Sequence, residues 1–414
     1  MTEIQPLEDR LAAAVRSIAD RAATEVDAVA VAERAIQDRP AVGESWLRRT
    51  VPVPIGLLFL LGLLILGLLG AVLVSGSWSS DRVSGLATCP AGSRPDEPGP
   101  ADQARPQGGS GAVVDRQSGL LVMLAAGERR DGQPETQIWH FDLCTNAWRK
   151  SAAVLPAELP HDGYGATSVY DAESDLIVNF GTRRIVVYDA DSASARIAAR
   201  PTQGDRTRAA YDPVSDLIFV LDAGQLWTYD VDLDAWQEVP QTGDLPPASN
   251  EGVLMAYDAS VQRIVLYHVQ RGYGQTYEFD PTTSAWTHLI LGSRRAAPEM
   301  GFFYGDVVAG GEIAYDEANA RTIVFTRGRA IAYDATAHSW QVVFDAPMEA
   351  DPPVGPGDLS QRGAADLAYD PLNHRSLAIG GLRYVGADSI EPDDVIAFDL
   401  GTRTWMELLA PSAD

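Results

Sequence analysis

Residues 211–236 read YDPVSDLIFVLDAGQLWTYDVDLDAW. An aromatic-aspartate pair opens this stretch, the apolar run LIFVL follows, a second aromatic-aspartate pair ends at Asp230, and Trp236 stands six residues further on. Runs of β-branched and aromatic residues are typical of strands. An aspartate at a strand end accepts hydrogen bonds from the backbone that follows it and so begins a tight turn. The stretch therefore predicts short antiparallel strands joined by aspartate turns.

The same pattern occurs six times after Gly111. The first pairs are Val114-Asp115, Tyr170-Asp171, Tyr211-Asp212, Tyr257-Asp258, Tyr315-Asp316 and Tyr369-Asp370. The second pairs are Phe141-Asp142, Tyr188-Asp189, Tyr229-Asp230, Phe279-Asp280, Tyr333-Asp334 and Phe398-Asp399. The tryptophans that follow are Trp148, Trp236, Trp286, Trp340 and Trp405, and the second unit has Ala195 at that place.

A four-stranded unit of this length cannot cover its own two faces, so the units must stack, and a radial arrangement also conceals their edges. Each tryptophan offers a large rigid surface that one unit can bury against the next. The repeat therefore predicts an all-β fold, a six-bladed β-propeller over residues 111–409.

The pattern resembles the kelch repeat of β-propellers, in the loose bacterial form related to the central domain of galactose oxidase. Kelch repeats usually carry Gly-Gly after the second strand, and here only Gly380-Gly381 matches cleanly. A copper oxidase of that kind would need a Tyr–Cys crosslink, but the only cysteine in the predicted blades, Cys144, lies in a turn. No metal-motif spacing such as HExxH occurs among the histidines. We therefore expect no cofactor, no metal, no catalytic residue and no enzymatic activity.

A membrane anchor is predicted at residues 51–75. Residues 55–74, IGLLFLLGLLILGLLGAVLV, are apolar without interruption and long enough, at ~1.5 Å per residue, to cross a bilayer. Arg48 and Arg49 directly precede the span, whereas few basic residues follow it. The positive-inside rule then places the N-terminus in the cytoplasm and the propeller outside, as a single-pass type II protein of the plasma membrane.

Two further segments flank the anchor. Residues 1–50 have the apolar spacing of a short amphipathic helix, which would form a coiled coil, dock a partner or lie near the membrane. Residues 76–110 are rich in Gly, Pro and Ser and read as an extracytoplasmic tether. Cys89 in this tether and Cys144 in the first blade are both outside the membrane, where a disulfide is favoured over two free thiols.

Binding is expected on one face of the propeller. In an up-and-down blade the first and third turns share one face, whereas the second turn and the connections between blades share the other. The longest segments, 127–137, 269–276, 288–310, 344–362 and 381–394, all belong to that second group and define a long-loop face. The candidate binding residues on it are Arg271, Tyr273, Arg294, Arg295, Tyr304, Arg383 and Tyr384.

The expected function is a non-catalytic binding or assembly module for a protein or a glycan. The net charge of −25 argues against nucleic acid as a partner. Two alternatives stay open: a glycan-active enzyme, and a ligand sensor that signals through the N-terminal helix. Convergent carboxylates or histidines in the central channel would favour the enzyme.

Protease treatment of spheroplasts tests the predicted topology. We expect added protease to digest residues 111–409 and to leave the segment before residue 50 intact, because only the C-terminal part lies outside the membrane. Immunoblots against both ends report the outcome, with detergent-lysed cells as the control. Protection of the propeller in intact spheroplasts would overturn the orientation.

Overall fold

The structure is a computed structural model that describes part of the chain. The described residues are 86–411 except for 129–133, 154, 156–165, 182–183, 202–206, 249–251, 271–272, 290–311, 327–328, 346–361, 364–365, 386–387 and 391–392. The predicted N-terminal helix and the predicted anchor at 51–75 lie outside these residues. Across the described part of the chain, no helix has the length and apolar character needed to cross a bilayer.

Six of the seven sheets in the described chain are blades, each with four antiparallel strands taken in chain order. The first three blades are β1 (Gln107–Asp115), β2 (Leu120–Glu128), β3 (Pro134–Asp142) and β4 (Ala147–Lys150); β5 (Thr167–Asp171), β6 (Leu176–Phe180), β7 (Ile185–Asp189) and β8 (Ser194–Ala198); β9 (Arg208–Asp212), β10 (Leu217–Asp222), β11 (Gln225–Asp230) and β12 (Ala235–Glu238). Blade 4 is β14 (Val253–Asp258), β15 (Arg263–Gln270), β16 (Tyr273–Asp280) and β17 (Ala285–Leu289), with β13 (Thr242–Gly243) added parallel to β17.

The remaining strands complete the ring. Blade 5 is β18 (Glu312–Asp316), β19 (Arg321–Thr326), β20 (Arg329–Asp334) and β21 (Ser339–Asp345), and blade 6 is β23 (Asp366–Asp370), β24 (Arg375–Ile379), β27 (Val395–Asp399) and β28 (Thr404–Leu409). A small extra sheet holds β22 (Arg362–Gly363), β25 (Leu382–Val385) and β26 (Asp388–Ile390). The innermost strands β1, β5, β9, β14, β18 and β23 each contact the next, and β23 returns to β1. The prediction of six blades around one axis is confirmed.

The aspartate turns are built alike. In the first turn of blade 3, the Oδ1 atom of Asp212 accepts a hydrogen bond of 3.0 Å from the amide of Val214, and Asp258 receives the same bond from Ser260. The turn then closes through a residue with positive φ, which is Asp216 at 55° in blade 3 and Ala320 at 51° in blade 5. Each buried aspartate therefore satisfies the amides that a tight turn would otherwise leave unpaired.

The tryptophans hold neighbouring blades together. Each lies on the strand that follows the third-strand aspartate, directly opposite the aromatic residue that precedes that aspartate, as Trp286 on β17 lies opposite Phe279 with 5.0 Å between ring centroids. Three also contact a ring of the preceding blade: Trp236 contacts Phe180, Trp340 contacts Tyr267, and Trp405 contacts Phe325. The aromatic spacing in the sequence thus marks the contacts between sheets.

Blade 2 replaces its missing tryptophan with polar contacts. Ala195 lies opposite Tyr188. The hydroxyl of Tyr188 is 2.9 Å from the Nε2 atom of His140 in blade 1 and 2.9 Å from the hydroxyl of Ser151. Burial and, to a smaller extent, the charge of Arg149 lower the pKa of His140 to about 4, so this histidine is neutral at physiological pH.

Residues 86–106, here called the clasp, lie across the junction between blade 1 and blade 6. Cys89 is joined by a disulfide to Cys144 of the β3–β4 turn, with 5.3 Å between Cα atoms. The side-chain amide of Asn146 donates to the carbonyl oxygens of Pro95 and Glu97, at 2.7 and 2.8 Å. These contacts fix the clasp to blade 1.

The same segment is bonded to blade 6. The amide of Gly99 donates to the carbonyl oxygen of Leu408 at 2.7 Å, and a side chain at Gly99 would collide with the carbonyl of Asn146. The buried guanidinium of Arg375 donates to Pro95 at 3.0 Å and to the carboxylate of Asp370 at 3.0 Å. The clasp therefore joins the first and last blades, which belong to distant parts of the sequence.

Replacing Trp286 by Ala should lower the free energy of unfolding by about 3–5 kcal/mol, because the ring is fully buried and its removal leaves a large cavity. Trp236→Ala is the matched control and should cost less, since Trp236 is only partly buried. Urea denaturation followed by far-UV circular dichroism measures both. Equal losses in the two variants would contradict the packing role.

Breaking the disulfide should also destabilise the ring. The bond closes a loop with a sequence separation of 55 residues, which in the chain-entropy model stabilises the fold by about 4 kcal/mol. Cys144→Ser and chemically reduced wild type should show the same lowered midpoint in urea, whereas oxidised wild type should not. An unchanged midpoint after thiol titration has shown full reduction would refute this role.

Candidate functional site

A channel runs along the propeller axis. It has a volume of about 620 Å³ and is lined by the six innermost strands. Each of these strands begins at the connection from the preceding blade and ends at the first aspartate turn. The beginning of the inner strands therefore marks the end of the channel that belongs to the long-loop face.

Six residues lie at equivalent positions there, four residues before the aspartate of each inner strand. This mouth ring consists of Gly111, Thr167, Arg208, Leu254, Glu312 and Asp366. All six line the channel, and the three charged side chains are partly exposed to it. This end of the channel therefore carries two carboxylates and one guanidinium.

The carboxylates of the mouth ring have few partners. Asp366 accepts a hydrogen bond of 3.3 Å from the backbone amide of Gly111, and among the described residues no hydrogen bond reaches the carboxylate of Glu312. Burial raises the pKa of Glu312 well above its usual range; the nearby Arg208 opposes this shift, and the Asp366 carboxyl adds to it. Burial likewise raises the pKa of Asp366, against the effect of the Gly111 amide. The pair therefore resists losing both protons at neutral pH.

Arg208 is held by the strands around it. Its Nε atom donates to the carbonyl oxygen of Val253 at 2.5 Å, and its Nη1 atom lies 3.5 Å from the carbonyl oxygen of Thr207. These bonds link blade 3 to blade 4 at the channel mouth. Arg208 thus supplies fixed positive charge near Glu312, which favours the ionised form of its carboxyl, whereas Asp366 disfavours that form.

The channel wall beyond the mouth ring is mostly apolar. The next two levels are formed by Ala112, Ser168, Ala209, Met255, Ile313 and Leu367, and by Val113, Val169, Ala210, Ala256, Ala314 and Ala368. The hydroxyl of Ser168 already donates to the carbonyl oxygen of Gly111 at 2.8 Å and accepts from the side chain of Asn179 at 2.9 Å. The wall therefore offers mainly van der Waals contact to a ligand.

The opposite end of the channel is lined by five tyrosines, Tyr170, Tyr211, Tyr257, Tyr315 and Tyr369. The hydroxyl of Tyr170 donates to Asp175 at 2.7 Å, and that of Tyr211 donates to Asp216 at 2.9 Å. Burial, followed by the charge of Asp216, raises the pKa of Asp171 to about 6. The hydroxyls of Tyr170 and Tyr211 therefore bond to the first turns of their own blades, which gives these two tyrosines a structural role.

The binding residues predicted from the sequence are only partly placed. Arg271, Arg294, Arg295 and Tyr304 lie outside the described residues. The backbone of Tyr273 begins β16, opposite Gln270. Arg383 and Tyr384 belong to β25 of the small sheet, with backbone partners Arg362, Ile390 and Ser389. Their role in binding stays a prediction.

Sequence reasoning missed Arg208, Glu312 and Asp366. The signal was present, since aligning the six repeats on their first aspartate shows a charged residue at the same position in the third, fifth and sixth units. A charge at the start of an otherwise apolar inner strand has no packing purpose and points to the channel. Within the described ranges, no group of three or more His, Cys, Asp or Glu side chains is placed to hold a metal ion.

The pH dependence of stability should report the carboxylate pair. Because the fold raises both pKa values, the folded protein keeps protons that the unfolded chain releases above about pH 4–5, so stability falls as pH rises from there through the folded pKa values. Each unit by which a pKa is raised costs about 1.4 kcal/mol above both values. Urea midpoints at pH 5, 6, 7 and 8 measure the slope.

The variant Glu312→Gln should flatten this slope, because an uncharged amide pays no cost of ionisation. Glu317→Gln is the control, since Glu317 lines the far end of the channel and pairs with Arg116 at 2.5 Å. Identical slopes in wild type and Glu312→Gln would show that the pair ionises freely.

No protein-family model and no curated protein matches this sequence. Solved structures resemble its fold at low identity. TolB from Acinetobacter baumannii is 10% identical with a TM-score of 0.42, the match covering 71% of this chain and 64% of TolB. YjhT is 12% identical with a TM-score of 0.46, covering 75% and 99%. An auxiliary nutrient binding protein from Bacteroides ovatus is 11% identical with a TM-score of 0.47, covering 67% and 68%. At these scores the likenesses say nothing about what this protein binds.

Proposed function

We propose that the chain is a single-pass plasma-membrane protein that presents a kelch-like propeller outside the cell as a non-catalytic binding module. Its ligand is a protein or a glycan that docks on the long-loop face, and residues 51–75 hold the chain in the bilayer. One observation carries the binding role: the mouth ring, with Arg208, Glu312 and Asp366, opens at the end of the channel that belongs to the long-loop face.

Within the described ranges, the carboxylates of the mouth ring make fewer hydrogen bonds than buried carboxylates usually do. A buried carboxylate costs free energy unless it is paired or hydrogen-bonded, and from the described part of the chain Asp366 accepts one hydrogen bond, of 3.3 Å. The fold bears this cost in a channel whose volume lies within the range of small-ligand sites. A ligand group that pairs with these carboxylates recovers the cost on binding. The uninterrupted apolar span and the repeated aromatic-aspartate pattern support the anchor and the kelch relationship.

A glycan-active enzyme is the second candidate, and the same carboxylates favour it. Convergent carboxylates in the central channel are the feature expected of an enzyme site. A carboxyl with a raised pKa, such as that of Glu312, can act as a general acid while a second carboxylate assists. We rank it below binding because the wall beneath the mouth ring is apolar and offers few hydrogen bonds to a sugar. A sensor that signals through the N-terminal helix is compatible with either.

Binding by the full-length protein in mild detergent tests the proposal. Glycan arrays and pull-downs from the cell envelope should yield a ligand, and Asp366→Asn should weaken its binding at least tenfold while Glu317→Gln leaves it unchanged. Chromogenic glycosides incubated with the same samples test the alternative. Turnover abolished by Glu312→Gln would replace the binding module with an enzyme, and a ligand indifferent to Asp366→Asn would move the site away from the channel.

A further inference from the structure

We propose that the mouth ring binds an ammonium group, as the head of an alkylammonium chain such as a lysine side chain, with Glu312 and Asp366 as its acceptors and the chain lying along the apolar channel wall. This inference rests on the proposed function, because it names the chemistry of the group that enters the channel.

The acceptors are arranged for a cation. Glu312 and Asp366 begin the adjacent inner strands β18 and β23. The negative charge of Asp366 raises the pKa of the Glu312 carboxyl. With one hydrogen bond of 3.3 Å between them from the rest of the described protein, most of their lone pairs are available. Two neighbouring carboxylates accept hydrogen bonds and repel each other. An ammonium group donates three hydrogen bonds and carries one positive charge, so it complements both properties. It would take the place of the proton that the pair otherwise retains.

An anionic ligand fits the ring less well. With both carboxyls ionised, Glu312, Asp366 and Arg208 sum to one negative charge. The guanidinium of Arg208 is held by the carbonyls of Val253 and Thr207, so it is fixed in the wall between blades. A carboxylate or phosphate approaching Arg208 would also approach Glu312, which repels it.

The apolar channel wall determines which group can be attached to the ammonium head. Below the ring the channel is lined by Met255, Ile313 and Leu367, of which Met255 and Leu367 are mostly buried between blades, and then by a level of small side chains that includes Ala256 and Ala314. Burying methylene groups against such a surface is favourable. A sugar ring would leave its hydroxyls without partners there, since the hydroxyl of Ser168 is already bonded. An unbranched alkyl chain suits this wall better.

Among the described residues of the other inner strands, none adds a charge at the level of the ring. Gly111, Thr167 and Leu254 occupy the remaining positions, and the aspartates of the inner strands stand at the far end of the channel. Among the described ring residues, the groups that control proton uptake are therefore Glu312, Asp366 and Arg208.

Isothermal titration calorimetry of the full-length protein in mild detergent tests this with three probes of equal length. At pH 8, pentylamine should bind at least tenfold more tightly than pentanol or pentanoate, as expected for a hydrogen bond to a charged group. Glu312→Gln and Asp366→Asn should each remove that preference, and Glu317→Gln should retain it.

Proton release gives a measurement that needs no variant. Pentylamine remains protonated throughout, so its binding to the pair should expel protons at pH 7, and the apparent affinity should rise from pH 6 to pH 8. Titrations in two buffers of different ionisation enthalpy measure the protons released. Binding without proton release, or with an affinity that falls as pH rises, would overturn the proposal.

The source of the ammonium group is tested with peptides. The pentapeptide Gly-Gly-Lys-Gly-Gly should bind, and its acetyl-lysine form should not, if a protein lysine can enter; binding of pentylamine alone would restrict the site to free amines. Preferential binding of pentanoate or pentanol at the same ring would refute the ammonium inference and leave the proposed function standing. If Asp366→Asn loses binding of the natural ligand but the wild type binds no amine, the ammonium inference is likewise refuted and the proposed function stands. If neither amine binding nor binding of the natural ligand depends on the mouth ring, both the ammonium inference and the proposed function are refuted.

Discussion

The contact between blade 1 and blade 6 is the one on which the ring depends. Every other neighbouring pair of blades is joined directly along the chain, so its two sheets meet at a small entropic cost. The first and last blades must find each other across the whole propeller, and each is complete in itself. The clasp meets this requirement from outside the sheets: its disulfide reaches the Cys144 turn of blade 1, and its backbone bonds to Leu408 and Arg375 of blade 6. The channel, and with it the mouth ring, exists only while this junction is closed.

Contacts between neighbouring blades also explain how six dissimilar repeats maintain one architecture. Blades pack through rings such as Trp340 on Tyr267, and the aspartate turns fix where each strand ends. Blade 2 departs from this rule, yet the bonds from Tyr188 to His140 and Ser151 bridge the same gap. The contact between sheets is therefore retained while its chemistry changes from aromatic packing to a buried hydrogen-bond network.

Sequence reasoning located the fold but not the site, and the reason is physical. Tryptophans and aspartates recur because each blade solves the same packing and turn problem, so six copies reinforce one signal. The mouth ring breaks the repeat: Gly111, Thr167, Arg208, Leu254, Glu312 and Asp366 share a position and little else. A ligand on the axis meets all six blades at once and needs a different group from each. The candidates drawn from loop composition, such as Arg383, followed the general tendency of loops to bind, whereas Glu312 and Asp366 stand at the first residue of a strand.

The clasp has a mechanical consequence as well. Tension applied to the chain before residue 86 does not reach β1 first, because it is intercepted at Cys89 and passes through a covalent bond into the β3–β4 turn. Part of the load then crosses through Asn146, Pro95 and Arg375 into blade 6. A pull on the N-terminal side is thus shared by two adjacent blades rather than peeling the innermost strand from the axis. The force therefore acts at the junction between blade 1 and blade 6, and the inner strands around the channel do not carry it.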